Sequence, residues 1–161
     1  MLDHNHKYLN DSAVFGKLSN IFITKKFFSN GDRNLVPDKK RSILIIDDDP
    51  SILRTLTRIL GKAGYMVDAA QTGNEASEKF TTKRYDAALI DVRLGEIKGT
   101  DLLPHMQKVA PNMVKILFTG TPMPESELDD VRRSADVFLL KPVKPETLLG
   151  ILEEKLQKNI A

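Results

Sequence analysis

The chain has 161 residues, a length typical of one domain, and 41% of them are hydrophobic, enough to build a full buried core. It contains no cysteine, which excludes disulfides, thiol catalysis and cysteine metal sites. The net charge is only +2, and positions 42–161 hold eighteen Asp and Glu residues against sixteen Lys and Arg residues. No basic surface for direct nucleic-acid binding is therefore predicted.

The first part of the chain differs from the rest. Residues 1–41 are polar and predict a flexible N-terminal extension to an ordered domain at residues 42–161. The apolar cluster at residues 21–28 is short and is interrupted by two lysines, so neither a membrane span nor a signal peptide is predicted. His4 and His6 could bind a metal, but two histidines in a polar tail are more often solvated.

Strands and helices are predicted to alternate along the ordered domain. Short apolar runs predict strands at Ile43–Ile46, Tyr65–Ala70, Tyr85–Ile90, Val114–Phe118 and Val137–Leu140. Helical periodicity and capping signals predict helices at Pro50–Lys62, Thr72–Phe80, Gly99–Val109, Pro122–Ser134 and Pro145–Lys158. This alternation predicts an α/β fold, a parallel sheet with right-handed crossovers and helices on both faces.

Three carboxylates, Asp47-Asp48-Asp49, follow the first strand. Asp49 is explained as the N-cap of the next helix, because Pro50 suits the first helical position. Capping leaves Asp47 and Asp48 unexplained. Neighbouring carboxylates repel each other, and a bound cation would relieve that repulsion.

Polar residues also follow the third, fourth and fifth strands. Asp91 ends the third strand, Thr119 the fourth, and Lys141 the fifth. The carboxyl ends of parallel strands lie along one edge of a sheet, which is where ligands bind in open α/β folds. We therefore expect these side chains to lie close together, although Asp91 taken alone could also cap a turn.

This set of residues resembles the receiver domain of two-component response regulators. The resemblance covers residues 42–158 and rests on the acidic pair Asp47-Asp48, on Asp91 forty-three residues after the second acid, and on Gly99, Thr119-Gly120 and Lys141-Pro142. It implies a doubly wound, flavodoxin-like fold with a five-stranded parallel sheet of order 2-1-3-4-5. That order places Asp48 and Asp91 at the topological switch point of the sheet.

By the same resemblance, Asp91 is the phosphoacceptor and forms an acyl phosphate. The cofactor implied is Mg²⁺. Asp48 and Asp91 would bind the ion directly, the backbone carbonyl of Arg93 would add a ligand, and Asp47 would act mainly through water. Carboxylate and carbonyl oxygens are the ligands that Mg²⁺ prefers.

The remaining site residues are assigned in the same way. Lys141 and the hydroxyl of Thr119 would contact phosphoryl oxygens. Thr119 and Phe138 would form the switch, the hydroxyl moving toward the phosphate while the aromatic ring turns inward. Phe138 could equally be an ordinary core residue. The peptide bond between Lys141 and Pro142 is expected to be cis.

The function implied is that of a cytoplasmic, single-domain response regulator in a phosphorelay, with no output domain expected after Ala161. It would accept the phosphoryl group from a histidine kinase or a histidine phosphotransfer protein. It would then switch the binding of a downstream protein or pass the phosphoryl group on. Such a domain is not an ordinary enzyme, because it catalyses only its own phosphorylation and dephosphorylation.

Two alternatives stay open. One is a pseudo-receiver that binds proteins without phosphorylation, although such domains usually lack an acid, the threonine or the lysine. The other is a phosphatase of the haloacid dehalogenase type, which requires a second Asp two residues after the nucleophile, where this chain has Arg93. The chain also departs from the receiver pattern at Gly95, where the family often has proline.

Overall fold

A computed structural model describes residues 40–95, 97–120, 129 and 133–158 of the chain. The described strands of the main sheet are β1 (Ser42–Ile46), β2 (Met66–Ala70), β3 (Ala87–Asp91), β4 (Val114–Thr119) and β5 (Val137–Leu140). All neighbouring strands are parallel, and the five-stranded sheet has the order β2-β1-β3-β4-β5. The predicted sheet and its strand order are confirmed.

The described helices are α1 (Pro50–Lys62), α2 (Gly73–Thr82), α3 (Leu103–Val109) and α4 (Pro145–Lys158). None of these described helices is long and apolar enough to cross a membrane. Most of the predicted helix at positions 122–134 lies outside the described residues, as does nearly all of the predicted extension at residues 1–41. The boundary between that extension and the domain stays a prediction.

The helix predicted from Gly99 begins differently from the expectation. Its first turn, Gly99–Leu102, is a 3-10 helix, and the α-helix starts at Leu103. The amide of Leu103 donates to the carbonyl oxygen of Thr100, three residues back. Pro104 has no amide hydrogen to donate, so the α-helical pattern of hydrogen bonds is established only beyond it.

Both predicted helix caps are confirmed. The carboxylate of Asp49 accepts a hydrogen bond of 2.7 Å from the amide of Ser51 at the start of α1. The hydroxyl of Thr72 accepts one of 3.2 Å from the amide of Glu75 in α2. The carboxylate of Glu75 turns back to accept from the amide of Gln71, one residue before the cap, at 2.9 Å. Each cap satisfies an amide that the helix itself leaves without a partner.

The sheet buries a hydrophobic cluster on each face, because consecutive strand residues point to opposite sides. Helices α2 and α3 cover the first cluster, which includes Leu44, Ile46, Ala76, Phe80, Ile90, Leu103, Met106 and Leu117. Helices α1 and α4 cover the second, which includes Ile43, Ile45, Leu53, Leu60, Leu89, Ile116, Leu148 and Leu152. Every residue of β3 is buried, so this strand is central to the domain.

The segment after β3 contains a small antiparallel pair that we call the hairpin (Arg93–Leu94 with Ile97–Lys98). Gly95 lies in its turn with a φ of +60°, a left-handed conformation that glycine adopts without steric cost. Leu94 is only 4% exposed and packs in the cluster covered by α2 and α3. Strands of two residues are too short to show a periodicity, so they could not be predicted from the sequence.

Asp68 of β2 is bound by two side chains that follow α2. The ammonium group of Lys83 lies 2.5 Å from Oδ2 of Asp68, and the hydroxyl of Tyr85 donates to the same oxygen at 2.7 Å. The hydrogen bond from Lys83, followed by that from Tyr85, lowers the pKa of Asp68 against the opposing effect of burial. The fold therefore favours the charged form of this carboxyl group.

Candidate functional site

The strand register brings the predicted polar residues to one edge of the sheet. Three pairs of facing residues define that edge: Ile46 with Ile90, Asp91 with Phe118, and Thr119 with Leu140. Because Ile46 faces Ile90, the next residues, Asp47 and Asp91, follow side by side at the ends of β1 and β3. These adjacent strands form the topological switch point, where open α/β sheets bind ligands.

Lys141 bridges the two buried carboxylates at this edge. Its Nζ atom lies 2.9 Å from Oδ2 of Asp47 and 2.9 Å from Oδ1 of Asp91. Asp47 is 4% exposed and Asp91 is 8% exposed. The backbone amide of Lys141 donates to the carbonyl oxygen of Thr119 at 2.7 Å, which fixes the start of this connection. The predicted cis peptide bond between Lys141 and Pro142 is confirmed.

Asp47 and Asp48 differ in their surroundings. Oδ1 of Asp47 accepts a hydrogen bond of 2.9 Å from the amide of Asp49, so both oxygens of Asp47 have protein partners. Asp48 is exposed. Asp47, Asp48 and Asp91 nevertheless each offer one carboxylate oxygen, and these three atoms lie within 4.8 Å of one another. The sequence predicted this acidic cluster from the carboxylates that follow β1 and β3.

The cluster fits a small divalent cation. Mg²⁺ binds oxygen at ~2.0–2.1 Å, so two ligands on opposite sides of the ion lie up to ~4.2 Å apart. The three oxygens lie within 4.8 Å of one another. They can therefore all bind one ion if the carboxylates move slightly closer together, or if one carboxylate acts through a water molecule. The donors are all hard oxygen atoms, and the exposed side of Asp48 leaves room for the waters that Mg²⁺ usually keeps.

Burial raises the pKa of Asp91 above its usual value. The ion pair with Lys141 acts in the opposite direction, and the charge of Asp47 adds to the increase. Burial also lowers the pKa of Lys141, but its hydrogen bonds to Asp91 and Asp47 outweigh burial, and its pKa is raised overall. Lys141 is therefore held in the charged form, in which it can bind an anionic group at this edge.

The backbone after Asp91 folds closely around that residue. Oδ2 of Asp91 accepts a hydrogen bond of 3.2 Å from the amide of Arg93, and the amide of Gly99 donates to the carbonyl oxygen of Val92 at 2.8 Å. A Cβ atom on Gly99 would collide with the carbonyl oxygen of Asp91 and approach Cγ2 of Ile90 to 2.8 Å. Glycine at position 99 therefore allows the backbone there to approach the backbone of Asp91 closely. The sequence alone did not reveal this requirement.

Thr119 and Phe138 lie on the face of the sheet covered by α2 and α3. Thr119 ends β4, is 2% exposed, and comes two residues after Leu117 of that cluster. Phe138 of β5 faces Leu117 in the strand register and packs against the same cluster while remaining partly exposed. The two predicted switch residues therefore share one face, and their switching role stays a prediction.

The fold and the acidic edge define a receiver-like α/β domain. The chain matches the model of the response regulator receiver domain over residues 43–153 and belongs to that family, which serves two-component signalling systems. The fold and family implied by the sequence are confirmed.

Among solved structures, a receiver domain protein (CheY-like) from Methanospirillum hungatei is similar with a TM-score of 0.72 and 36% identity, covering 76% of this chain and 98% of that chain. A response regulator from Burkholderia pseudomallei, solved with a phosphorylated aspartic acid, a calcium ion and citrate, has a TM-score of 0.66 and 26% identity. That match covers 74% of this chain and 70% of the other.

Among curated relatives, the alginate biosynthesis transcriptional regulatory protein AlgB of Pseudomonas putida is 32% identical over 111 residues. The match covers 69% of this chain but 25% of AlgB. The transcriptional regulatory protein GlrR of Escherichia coli is 29% identical, over 75% of this chain and 27% of its own length. The chain thus spans about a quarter of these relatives.

Proposed function

We propose that the chain is a phosphoacceptor in which Asp91 receives a phosphoryl group from the phosphohistidine of a histidine kinase or a histidine phosphotransfer protein. The observation that carries this proposal is the bridge formed by Lys141, 2.9 Å from both Asp91 and Asp47, beside the exposed carboxylate of Asp48. The phosphorylated aspartic acid and calcium ion named for the Burkholderia structure support the same chemistry.

In the proposed reaction, a carboxylate oxygen of Asp91 attacks the phosphorus atom of the donor. A P–O bond forms, the P–N bond of the phosphohistidine breaks, and the electron pair of that bond stays on the imidazole nitrogen. The protein acts mainly by positioning and by neutralising charge on the phosphoryl oxygens. Lys141 donates to one of these oxygens and the hydroxyl of Thr119 to another, both from fixed positions at the strand ends.

A divalent cation, which we take to be Mg²⁺, would neutralise further charge on the phosphoryl oxygens. Asp48, Asp91 and the backbone carbonyl of Arg93 would hold it. Asp47 would contact the ion mainly through water. The exposure of Asp48 supports direct binding.

The phosphoryl group would also drive the switch. The hydroxyl of Thr119 would turn toward a phosphoryl oxygen and leave space on the face of the sheet that it shares with Phe138. The ring of Phe138 is partly exposed and packs against the adjacent cluster, so it can move into that space. We propose that this change alters binding of a downstream protein in the cytoplasm, or accompanies onward transfer of the phosphoryl group. We propose no direct contact with nucleic acid.

The proposal is tested by treating the purified chain with acetyl phosphate and Mg²⁺ and measuring its intact mass. The wild-type chain should gain one phosphoryl group, Asp91→Asn should gain none, and EDTA should prevent the gain. Asp49→Asn is the matched control, because asparagine also caps helices and Asp49 is assigned to capping. Labelling of Asp91→Asn at the wild-type level would overturn the assignment.

A further inference from the structure

We infer that Gly73, the first residue of α2, is a positioning residue for the phosphorylation site because it leaves the space in which Ile97 of the hairpin sits. A Cβ atom built on Gly73 would overlap Cδ1 of Ile97. The same atom would lie 3.5 Å from Cγ1 of Ile97 and 3.5 Å from Cδ2 of Leu102. Ile97 therefore fills the space that a side chain at position 73 would occupy.

The backbone at Gly73 does not itself require glycine. Among the described residues, positive φ angles occur at Gly64 and Gly95 and not at Gly73. Glycine also has a lower helix propensity than alanine, so helix formation gives no reason for a glycine at this position. The close contact with Ile97 is therefore the feature that explains a glycine at position 73.

This contact reaches the site through the hairpin. Ile97 faces Leu94, and Lys98 faces Arg93, so the two short strands are paired along their whole length. Leu94 is anchored in the core, whereas Ile97 is 40% exposed and rests on Gly73. Arg93 begins the same hairpin, and its amide donates to Oδ2 of Asp91. The contact with Gly73 therefore holds the second strand of the hairpin in place. The first strand, which contains Arg93, pairs with it.

The inference rests on the proposed function, in which the carbonyl of Arg93 helps to hold the divalent cation. Gly73→Ala should displace the end of Ile97, loosen the hairpin and weaken Mg²⁺ binding, while the propensity of α2 for helix increases. If Gly73 affected only the stability of α2, Gly73→Ala would instead stabilise the protein, because alanine favours the helix more than glycine does. The two readings therefore separate in a single variant.

The test compares the wild type, Gly73→Ala, Ile97→Val, and the double variant Gly73→Ala with Ile97→Val. Valine lacks Cδ1 of isoleucine, so the double variant moves one methyl group from position 97 to position 73 and removes the overlap. Two quantities are measured: amide hydrogen exchange at Leu94, Ile97 and Lys98 in the metal-free protein, and the affinity for Mg²⁺ by calorimetry. Thermal unfolding shows that each variant is folded.

Gly73→Ala is expected to exchange faster at these amides and to bind Mg²⁺ about two- to threefold more weakly, the low end of the coupling between residues in contact, because the displaced atom is the end of a side chain that is 40% exposed. The double variant should return close to wild type, because the methyl group at position 73 then fills the space of Cδ1, whereas Ile97→Val alone should also exchange faster, because it removes the atom that contacts Gly73. Unchanged exchange and affinity in Gly73→Ala, or a double variant as impaired as Gly73→Ala, would overturn the inference. A wild-type chain that binds no Mg²⁺ would instead refute the proposed function, while the exchange data would still decide the role of Gly73.

Discussion

Replacement of Lys141 by methionine is expected to destabilise the metal-free domain, because it leaves two buried carboxylates without their shared cation. The ammonium group lies 2.9 Å from an oxygen of Asp47 and 2.9 Å from an oxygen of Asp91. Removing one partner of a buried ion pair costs about 3–5 kcal/mol. The side chain of Lys141 is 27% exposed, so solvent screens the pair and the lower end, about 3 kcal/mol, is expected.

The same variant should bind Mg²⁺ more tightly than the wild type, because no internal cation then competes for the carboxylate oxygens. A ligand that binds only the folded state stabilises it by about 2.7 kcal/mol at one hundred times its dissociation constant. The difference in stability between wild type and Lys141→Met should therefore shrink as Mg²⁺ is added. Urea unfolding followed by circular dichroism, first in EDTA and then at rising Mg²⁺, measures this difference.

Lys144→Met is the matched control, because Lys144 lies in the same connection with an exposed side chain. It should retain wild-type stability at every Mg²⁺ concentration. The reasoning is refuted if Lys141→Met is as stable as the wild type in EDTA, or if Mg²⁺ leaves the difference between them unchanged.

Three further experiments separate the roles of individual residues. Asp48→Ala should weaken Mg²⁺ binding in calorimetry more than Asp49→Ala, which should instead lower the free energy of unfolding by about 0.5–2 kcal/mol through its lost cap; the reverse order would contradict the assignment. Gly99→Ala should cost at least about 1–3 kcal/mol in urea unfolding, since its Cβ meets the backbone of Asp91, and wild-type stability would contradict the close approach. Asp68→Asn should be less stable than wild type at pH 7. Because folding lowers the pKa of Asp68, that difference should vanish as the pH falls below about 4 and through the folded-state pKa, whereas a constant difference would contradict an ionic role.

The parts of the fold that the sequence predicted depend on local signals. The apolar runs of β1 and β3 are long enough to indicate buried strands, and Asp49 before Pro50 is a sufficient signal for the start of α1. The meeting of Asp47, Asp91 and Lys141 followed from one geometric rule, that parallel strands end at the same edge. The strand order was not contained in the periodicity and came from the resemblance to receiver domains.

The features that the sequence missed depend on contacts between distant segments. The hairpin has strands of two residues, which are too short to show alternation. The reasons for glycine at positions 73 and 99 are a side chain and a backbone oxygen that only the folded chain brings near. Likewise, the pairing of Lys141 with both Asp47 and Asp91 is a matter of distances between separate strand ends, which residue types alone do not define.

The most direct test of the central claim is to identify the modified residue chemically. Borohydride reduces an aspartyl phosphate to homoserine, and trypsin would release the peptide Tyr85–Arg93, which contains both Asp86 and Asp91. After treatment with acetyl phosphate and Mg²⁺, tandem mass spectrometry should find homoserine at position 91 and unchanged aspartate at position 86, where the carboxylate is bound to Arg41. Homoserine at position 47, 48 or 86, with intact aspartate at position 91, would contradict the assignment of Asp91 as the phosphoacceptor.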